Sequence, residues 1–237
     1  MGIQENLIEI RRRIEAAARR VGRDPKGIQL VAVSKFQPSE AIEEAYRCGQ
    51  RLFGENYAQE LRDKAVALGH LQDLRFHFIG RLQKNKAKYV ATVADCMESL
   101  DDLDVAAELA RRALAAKRTL STLIEVNFDE AQKGGIHLEA LPKFIESLGA
   151  LEALRVEGLM AIPPTDISER ESRAVFRALA DAARAHHLRQ LSMGMSGDYE
   201  LAIEEGATLV RIGTAIFGAR TPKQQIDDAP CPPCPCP

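Results

Sequence analysis

The chain has 237 residues, of which 46% are hydrophobic, and a formal net charge of −2 at pH 7. This length accommodates one large domain or two small ones with a full core, and the near-neutral charge argues against a nucleic-acid or membrane partner. Because no apolar run approaches the ~18 residues that span a bilayer, and the amphipathic N-terminus lacks the apolar core of a signal peptide, a cytoplasmic location is expected.

Hydrophobic periodicity and turn residues predict eight strands that alternate with amphipathic helices. After a leading helix at about 4–21, the strands are predicted at 29–35, 52–55, 76–80, 96–99, 123–127, 156–162, 190–195 and 209–212. The later helices are predicted at 39–48, 58–68, 84–90, 102–116, 138–148, 169–186 and 199–205. Several strands are short and continuously apolar, which is typical of a sheet with both faces covered. The pattern predicts a closed (β/α)8 TIM-like barrel with an extra N-terminal helix.

The alternative is an open doubly wound sheet, which often has a glycine-rich turn after its first strand. The corresponding turn here, residues 34–38, contains no glycine, so the barrel is favoured.

We expect a single domain over residues 1–222. The cysteine- and proline-rich tail at 223–237 is expected to be disordered, and its cysteines lack the regular scaffold of a metal site.

Two steps of small residues follow the last two long apolar segments. Ser196-Gly197 comes after the seventh predicted strand and Gly213-Thr214 after the eighth. Small residues let an anion approach backbone N–H groups, and barrels commonly hold phosphate after strands seven and eight. The two steps therefore predict one phosphate-binding cup at the carboxyl ends of the strands.

One nucleophilic amine lies at a strand end, because Lys35 closes the apolar run VAVSK. A lysine in this position is most often a solvated charge. Facing a phosphate cup across one barrel mouth, with Arg211 inside the last strand, it instead indicates a pocket for pyridoxal 5′-phosphate (PLP), whose aldehyde condenses with amines. A Schiff-base aldolase that binds a sugar phosphate is a weaker alternative.

Six segments in order resemble the pyridoxal-phosphate homeostasis proteins, also called the YggS or PROSC family. They are VAVSK, FGENY, HFIGRLQKNK, GLMAI, LSMGMSGDYELAI and VRIGTAIFG, within a resemblance that covers about residues 3–220. The resemblance implies a single-domain barrel similar to the N-terminal domain of alanine racemase, a fold-type III PLP-binding barrel. It also implies that the protein binds the cofactor without an established catalytic turnover.

The resemblance also implies roles for individual residues. Lys35 matches the position that forms the internal aldimine, Asn56 lies beside the phenolic oxygen of the ring, and Arg211 faces the pyridine nitrogen. The remaining matches hold phosphate or line the pocket: Ser196, Gly213, Thr214 and Met160. Gly197 is added to the phosphate site as part of the first small-residue step, although Gly197-Asp198 departs from the family pattern, as does the tail.

Each of these residues also has a simpler structural interpretation. Ser196 could be a turn hydroxyl, Asn56 a turn former, Thr214 a helix cap, and Arg211 the partner of a core carboxylate such as Glu55. Other residues are expected to be structural: His77 as a packed strand histidine, and Lys84, Lys86 and Lys88 as a solvated helix face. A transfer role for Lys133, in the loop DEAQKGG, is a weaker hypothesis.

Two features predict the function: the cation that Arg211 places opposite the ring nitrogen, and the positions of the tyrosines that could act as a second base. A cation opposite the ring nitrogen disfavours its protonation, which makes the ring a weaker electron sink. The similar racemases bring a tyrosine from a second domain, whereas the tyrosines here are expected in the barrel's own helices or their first turns: Tyr46, Tyr57, Tyr89 and Tyr199. We therefore expect a monomeric carrier that supplies PLP to PLP-dependent apoenzymes and has no catalytic residue. The alternative is a racemase-like enzyme with Tyr57 or His77 as the second base.

Overall fold

The computed structural model describes residues 2–128 and 134–218. Within them, eight parallel strands form a closed barrel in chain order, β1-β2-β3-β4-β5-β6-β7-β8. The strands are β1 Gln29–Val33, β2 Leu52–Glu55, β3 Arg75–Phe78, β4 Cys96–Leu100, β5 Leu120–Glu125, β6 Leu154–Met160, β7 Gln190–Ser192 and β8 Leu209–Ile212. The predicted (β/α)8 fold is confirmed, and the open sheet is excluded because β8 pairs with β1.

Helices surround this barrel. They are α1 Ile3–Arg20, α2 Ser39–Arg47, α3 Ala58–Ala67, α4 Ala87–Val93, α5 Leu103–Ala115, α6 Leu141–Leu148, α7 Glu169–Ala185, α8 Tyr199–Glu204 and α9 Thr214–Phe217. The predicted extra helix is α1, which buries Leu7, Ile10 and Ile14 and contacts α2, α8 and α9. Its apolar face therefore extends the layer of helices around the barrel.

The barrel interior has an apolar layer and a polar layer. Six strands each contribute one buried residue to the apolar cluster: Val31, Leu52, Cys96, Leu123, Met160 and Leu209. Side chains alternate between the two faces of a strand, so residues two positions further along also face the interior. In three strands these next positions are charged: Glu98, Glu125 and Arg211. His77 of β3 lies in the same layer, because it pairs with Gly54, two positions after Leu52. The carboxyl ends of the strands thus form a polar mouth above an apolar base.

The structure ends five predicted strands earlier at that mouth. β1 ends at Val33 rather than at Lys35, and β7 ends at Ser192 rather than at Met195. The other three each end two residues early: β3 at Phe78, β5 at Glu125 and β6 at Met160. After β1, Phe36 adopts a left-handed backbone conformation with φ of 63°, so the chain turns there instead of continuing the ladder. Lys35 therefore lies in a tight turn just beyond the strand.

Two predicted helices begin with a 3₁₀ turn instead of an α-helix. These turns are Lys84–Lys86 before α4 and Leu138–Ala140 before α6.

The boundary at 222, the tail at 223–237 and Lys133 lie outside the described residues. Among the described residues, no helix is long and apolar enough to cross a membrane.

Candidate functional site

The end of β1 and the start of α9 lie against each other at the barrel mouth. β1 and β8 are paired, with Ala32 opposite Ile212. Gly213 follows β8 so closely beside β1 that a Cβ on this glycine would lie 3.1 Å from the carbonyl oxygen of Val33. Lys35 and Thr214 thus follow the carboxyl ends of two adjacent strands, and the structure brings these two predicted site residues to one edge of the barrel.

The other small-residue step, Ser196-Gly197, follows the neighbouring strand β7. The backbone N–H of Arg211 in β8 donates to the carbonyl of Gly194 at 3.0 Å, which ties this turn to β8. Ser196 and Gly197 are exposed, and a Cβ on Gly197 would meet no atom within 4 Å. The two steps therefore lie on adjacent strands with open space beside the first.

Thr214 does not cap the last helix. The cap position of α9 is Gly213, which has no side-chain capping bond, and Thr214 is the first helical residue. Its side chain is exposed, and N–H groups in the first turn of a helix have no partner within the helix. The capping interpretation is therefore wrong, and both a hydroxyl and backbone donors are available at this step.

Asn56 contributes an unsatisfied polar atom next to the mouth. Its Oδ1 is buried without a hydrogen-bond partner among the described residues, an arrangement that costs about 1–3 kcal/mol. Asn56 is packed against Gly80, where a Cβ would lie only 2.1 Å from the Asn56 carbonyl oxygen. Glycine at position 80 therefore allows the ends of β2 and β3 to approach each other and fixes the backbone of Asn56.

Arg211 is buried in the polar layer of the barrel, with 4% of its surface exposed. Its Nη1 donates to Ser192 Oγ at 2.6 Å and its Nη2 to the carbonyl of Ala161 at 3.1 Å. Burial lowers the pKa of the guanidinium, an effect that the charges of Glu98 and Glu125 oppose. The head group is therefore held in one orientation across the interior.

Arg211 lies beside a core carboxylate, as its structural interpretation stated, but that carboxylate is Glu98 and not Glu55. Glu98 lies 3.9 Å from the guanidinium and also accepts a hydrogen bond from Ser192 Oγ at 2.5 Å. Glu55 lies two positions after Phe53 in β2, so both side chains are on the same face of the strand. Phe53 packs in the core between the barrel and the helices, and Glu55 therefore faces the helix layer and not the barrel interior. Sequence reasoning missed Glu98, although its position two residues after Cys96 assigns it to the inner face.

His77 belongs to the same interior network. Its Nδ1 lies 2.5 Å from Glu98 Oε1, and the residue is 9% exposed, which confirms the prediction of a packed, hydrogen-bonded strand histidine. Burial raises the pKa of Glu98, but the His77 hydrogen bond and the charges of His77 and Arg211 bring it below its ordinary value. Glu98 is therefore an ionised anchor between His77 and Arg211.

Met160 and Glu125 occupy paired positions at the ends of β6 and β5. Met160 is 1% exposed and belongs to the apolar interior cluster, and as the last residue of β6 it lies level with Ser192 of β7 at the carboxyl ends of the strands. Burial, together with the charge of Asp101, raises the pKa of Glu125, whereas Arg211 and Arg81 lower it. Glu125 is a further titratable group near the mouth that the sequence did not single out.

The remaining predicted positions agree with their structural interpretations. Tyr46, Tyr89 and Tyr199 lie in helices and Tyr57 precedes α3, as predicted. Lys84 and Lys88 are exposed and Lys86 is partly exposed. In the parts of the chain that the structure describes, no group of three or more His, Cys, Asp or Glu residues could hold a metal ion.

Comparison with known sequences gives a family match over nearly the whole chain. The family described as alanine racemase, N-terminal domain, matches residues 6–221. The pyridoxal phosphate homeostasis protein of Escherichia coli is 44% identical over 229 residues, which cover 92% of this chain and 97% of the relative. The protein of the same name from Aquifex aeolicus is 43% identical over 227 residues, with coverage of 93% and 99%.

Solved structures extend this similarity to the fold. PipY of Synechococcus elongatus, solved with PLP bound, is 35% identical with a TM-score of 0.80, over 92% of this chain and 100% of PipY. An alanine racemase from Clostridium difficile has a TM-score of 0.70 at 14% identity, over 94% of this chain and 58% of the racemase. The racemase likeness concerns the barrel alone.

Proposed function

Because the chain belongs to the family of pyridoxal phosphate homeostasis proteins, we propose that it binds PLP at the barrel mouth and holds it for delivery to other proteins. Two relatives at 43–44% identity are pyridoxal phosphate homeostasis proteins, and PipY binds PLP, which supports this ligand. The recipients would be PLP-dependent apoenzymes, and the carrier would act as a monomer in the cytoplasm.

The single observation that carries the proposal is the shared mouth of β1 and β8. Lys35 follows β1 and Gly213-Thr214 follows β8, and Gly213 packs on the last residue of β1. An amine and an anion-binding step at adjacent strand ends suit a ligand that has an aldehyde and a phosphate on one small ring.

Each predicted residue has a role in this proposal. Lys35 holds the aldehyde as an imine, the internal aldimine of the family. Asn56 lies beside the phenolic group, whose O–H would donate to the buried Oδ1 that has no partner among the described residues. Phosphate is held by Ser196, Gly197, Gly213 and Thr214, and Arg211 faces the ring nitrogen. Met160, which is buried in the interior at the carboxyl end of β6, contributes packing against the ring.

The covalent step is a condensation that needs no further reagent. The neutral Nζ of Lys35 adds to the aldehyde carbon, and the aldehyde oxygen leaves as water with both amine protons. The reaction is reversed by water or by another amine, so it holds the cofactor and releases it without oxidation or reduction. Bound PLP would supply an electron-withdrawing ring as well as the aldehyde.

The position of Arg211 favours storage of PLP over catalytic turnover of a substrate. Its guanidinium is a permanent cation, held between Ser192 and Ala161, and a cation beside the pyridine nitrogen disfavours protonation there. The ring then withdraws electrons less strongly, so abstraction of a substrate proton is harder. His77, the alternative base, is buried with its Nδ1 on Glu98, and this engagement argues against its acting as a mobile base.

The test compares transfer with turnover. Protein loaded with PLP is incubated with a PLP-dependent apoenzyme, and recovery of the apoenzyme's activity is measured beside an assay for racemisation across the amino acids. The proposal predicts recovery with wild-type protein, none with Lys35→Ala treated in the same way, and no racemisation above background. Racemisation that Lys35→Ala abolishes and that depends on Tyr57 or His77 would contradict the carrier function and favour the enzyme.

A further inference from the structure

A second lysine lies buried beside the turn that carries Lys35. Lys64, on α3, is 6% exposed. Its Nζ donates to Glu60 Oε1 at 2.7 Å, to Glu55 Oε1 at 2.8 Å and to the backbone carbonyl of Ser34 at 2.7 Å. These three acceptors match the three donors of an ammonium group. Lys64, Glu55 and Glu60 are called the α3 ion cluster below.

The α3 ion cluster holds the backbone on both sides of Lys35. Before it, the carbonyl of Ser34 accepts from Lys64, and Ser34 Oγ donates to Glu55 Oε1 at 2.6 Å. After it, the N–H of Phe36 donates to Glu60 Oε1 at 2.6 Å. The residue between these contacts therefore has little freedom to shift relative to β1.

The turn held in this way is strained. Phe36 has a φ of 63°, a left-handed conformation that is uncommon for a non-glycine residue and costs of order 1–3 kcal/mol. Such a conformation persists only where its surroundings fix it. The hydrogen bond from Phe36 N–H to Glu60 is a contact of this kind, and it ties the strained residue to the α3 ion cluster.

Stability alone gives a poor account of this cluster. Burying charged groups costs several kcal/mol each, and well-packed apolar residues in the same space are often equally stable or more so. Burial raises the pKa of Glu55 to about 7, although Lys64 lies beside it. Among the described residues, the three side chains bond only to one another, to Ser34 and to Phe36.

We propose that the α3 ion cluster is a positioning device, with Lys64 at its centre, that fixes the Lys35 turn so that the Lys35 amine meets the aldehyde of PLP. This inference rests on the proposed function, because it takes Lys35 as the residue that binds covalently. Lys64, Glu55 and Glu60 act through the backbone of residues 34–36 and need not touch the ligand. Losing them should slow covalent capture and leave non-covalent binding intact.

The experiment separates these two readouts with two ligands. Covalent capture is measured with PLP, by borohydride trapping at timed intervals and mass spectrometry of the intact protein. Non-covalent binding is measured with pyridoxine 5′-phosphate, which has an alcohol in place of the aldehyde and forms no imine. Thermal unfolding of each variant reports whether the fold is retained.

Lys64→Met removes the charge and keeps most of the length of the side chain. We expect trapping at least about tenfold slower than in wild type, which corresponds to ~1.4 kcal/mol in the activation barrier, with pyridoxine 5′-phosphate affinity changed by less than about twofold. Lys88→Met, at an exposed lysine of α4, is the matched control and should trap at the wild-type rate.

Glu60 provides a second pair of variants that keeps the test decisive if Lys64→Met does not fold. Glu60→Gln retains an oxygen that accepts from Phe36 N–H, whereas Glu60→Leu removes it. We expect trapping by Glu60→Gln to be close to wild type and trapping by Glu60→Leu to be slowed about tenfold.

Equal trapping rates in wild type, Lys64→Met and Glu60→Leu would overturn the inference while the proposed function stands. Proportional losses of trapping and of pyridoxine 5′-phosphate affinity would also overturn it, because they show general damage to the pocket. If wild-type protein traps no PLP, the proposed function itself fails and the inference fails with it.

Discussion

Gly213 and Val33 pack directly against each other where the barrel closes. A Cβ on Gly213 would lie 3.1 Å from the Val33 carbonyl oxygen and 3.3 Å from Val33 Cβ, closer than ordinary side-chain packing. Val33 ends β1 two residues before Lys35, and Gly213 begins the step that contains Thr214. This contact is the structural basis for expecting one ligand to reach both the amine and the small-residue step.

Thr214→Val tests the phosphate side of the mouth. The change removes an exposed hydroxyl at the start of α9 and keeps the branched shape. A hydrogen bond to a charged group contributes about 1.5–3 kcal/mol, so we expect affinity for pyridoxine 5′-phosphate to fall about tenfold or more. Binding is measured by isothermal titration calorimetry.

The control for this prediction uses both a ligand and a variant. Affinity for pyridoxine, which lacks the phosphate, should be the same in Thr214→Val and wild type. Thr92→Val, at an exposed position of α4, should leave both affinities unchanged. An equal loss of affinity for the two ligands would show that Thr214 supports the pocket and does not bind phosphate.

Gly80→Ala should disturb Asn56 without contacting the ligand. The new Cβ would lie 2.1 Å from the backbone oxygen of Asn56, so the backbone must move. We expect a loss of more than about 2 kcal/mol in the free energy of unfolding, measured by urea denaturation. Gly27→Ala, where a Cβ meets nothing within 4 Å, is the control, and comparable stability of the two variants would contradict the close approach of β2 and β3.

Arg211→Gln tests the interior network. The substitution removes the guanidinium beside the buried Glu98 carboxylate, which then keeps only His77 and Ser192 as partners, and removing one partner of a buried pair costs about 3–5 kcal/mol. We expect a loss of this order in the free energy of unfolding. Adding Glu98→Gln should recover part of the loss, since no buried anion then remains.

The control for the arginine is Arg189→Gln, at an exposed position before β7, which should change stability by less than about 0.5 kcal/mol. If the loss in the free energy of unfolding of the double variant, Arg211→Gln with Glu98→Gln, equals the sum of the losses of the two single variants, the two groups do not interact across the barrel.

Glu55 gives stability a predictable pH dependence. Burial raises its pKa from 4.5 to about 7 in the folded chain, so between these pH values the folded state binds a proton that the unfolded state releases. The stability contributed by this group is fully present below the unfolded pKa and is lost as pH rises towards 7. The loss amounts to about 3 kcal/mol at ~1.4 kcal/mol per unit of pKa.

Glu55→Gln removes this pH-dependent contribution to stability. Urea denaturation at several values of pH should show that stability declines less between pH 5 and 7 in the variant than in wild type. Glu152→Gln, at an exposed carboxylate between α6 and β6, is the matched control. Identical pH slopes in Glu55→Gln and wild type would contradict a raised pKa at position 55.

Much of the fold could be predicted because local patterns encode it. Eight apolar segments separated by amphipathic ones were sufficient for the barrel, and the two small-residue steps after β7 and β8 lie at the carboxyl edge where the pattern predicted them. The end of β1 was misassigned because the turn at Phe36 depends on Glu60, a contact across 24 positions of sequence.

The buried charges could not be read from local pattern. Lys64 has the sequence context of a solvated helix residue, and only the packing of α3 against the end of β1 shows that it is enclosed. The structural interpretation of Arg211 paired it with a core carboxylate such as Glu55, but strand parity directs Glu55 outward and Glu98 inward. Pairing across a barrel depends on register between distant strands, which a single sequence does not specify.

Borohydride reduction followed by peptide mapping shows whether Lys35 is the residue that binds PLP covalently. Wild-type protein is incubated with PLP, reduced and digested, beside Lys35→Ala and Lys88→Met treated identically. We expect one dominant pyridoxyl adduct, on the peptide that contains Lys35, together with a visible absorption band that is lost on reduction and absent from Lys35→Ala. An adduct distributed over surface lysines, or an unchanged band in Lys35→Ala, would contradict covalent binding at Lys35.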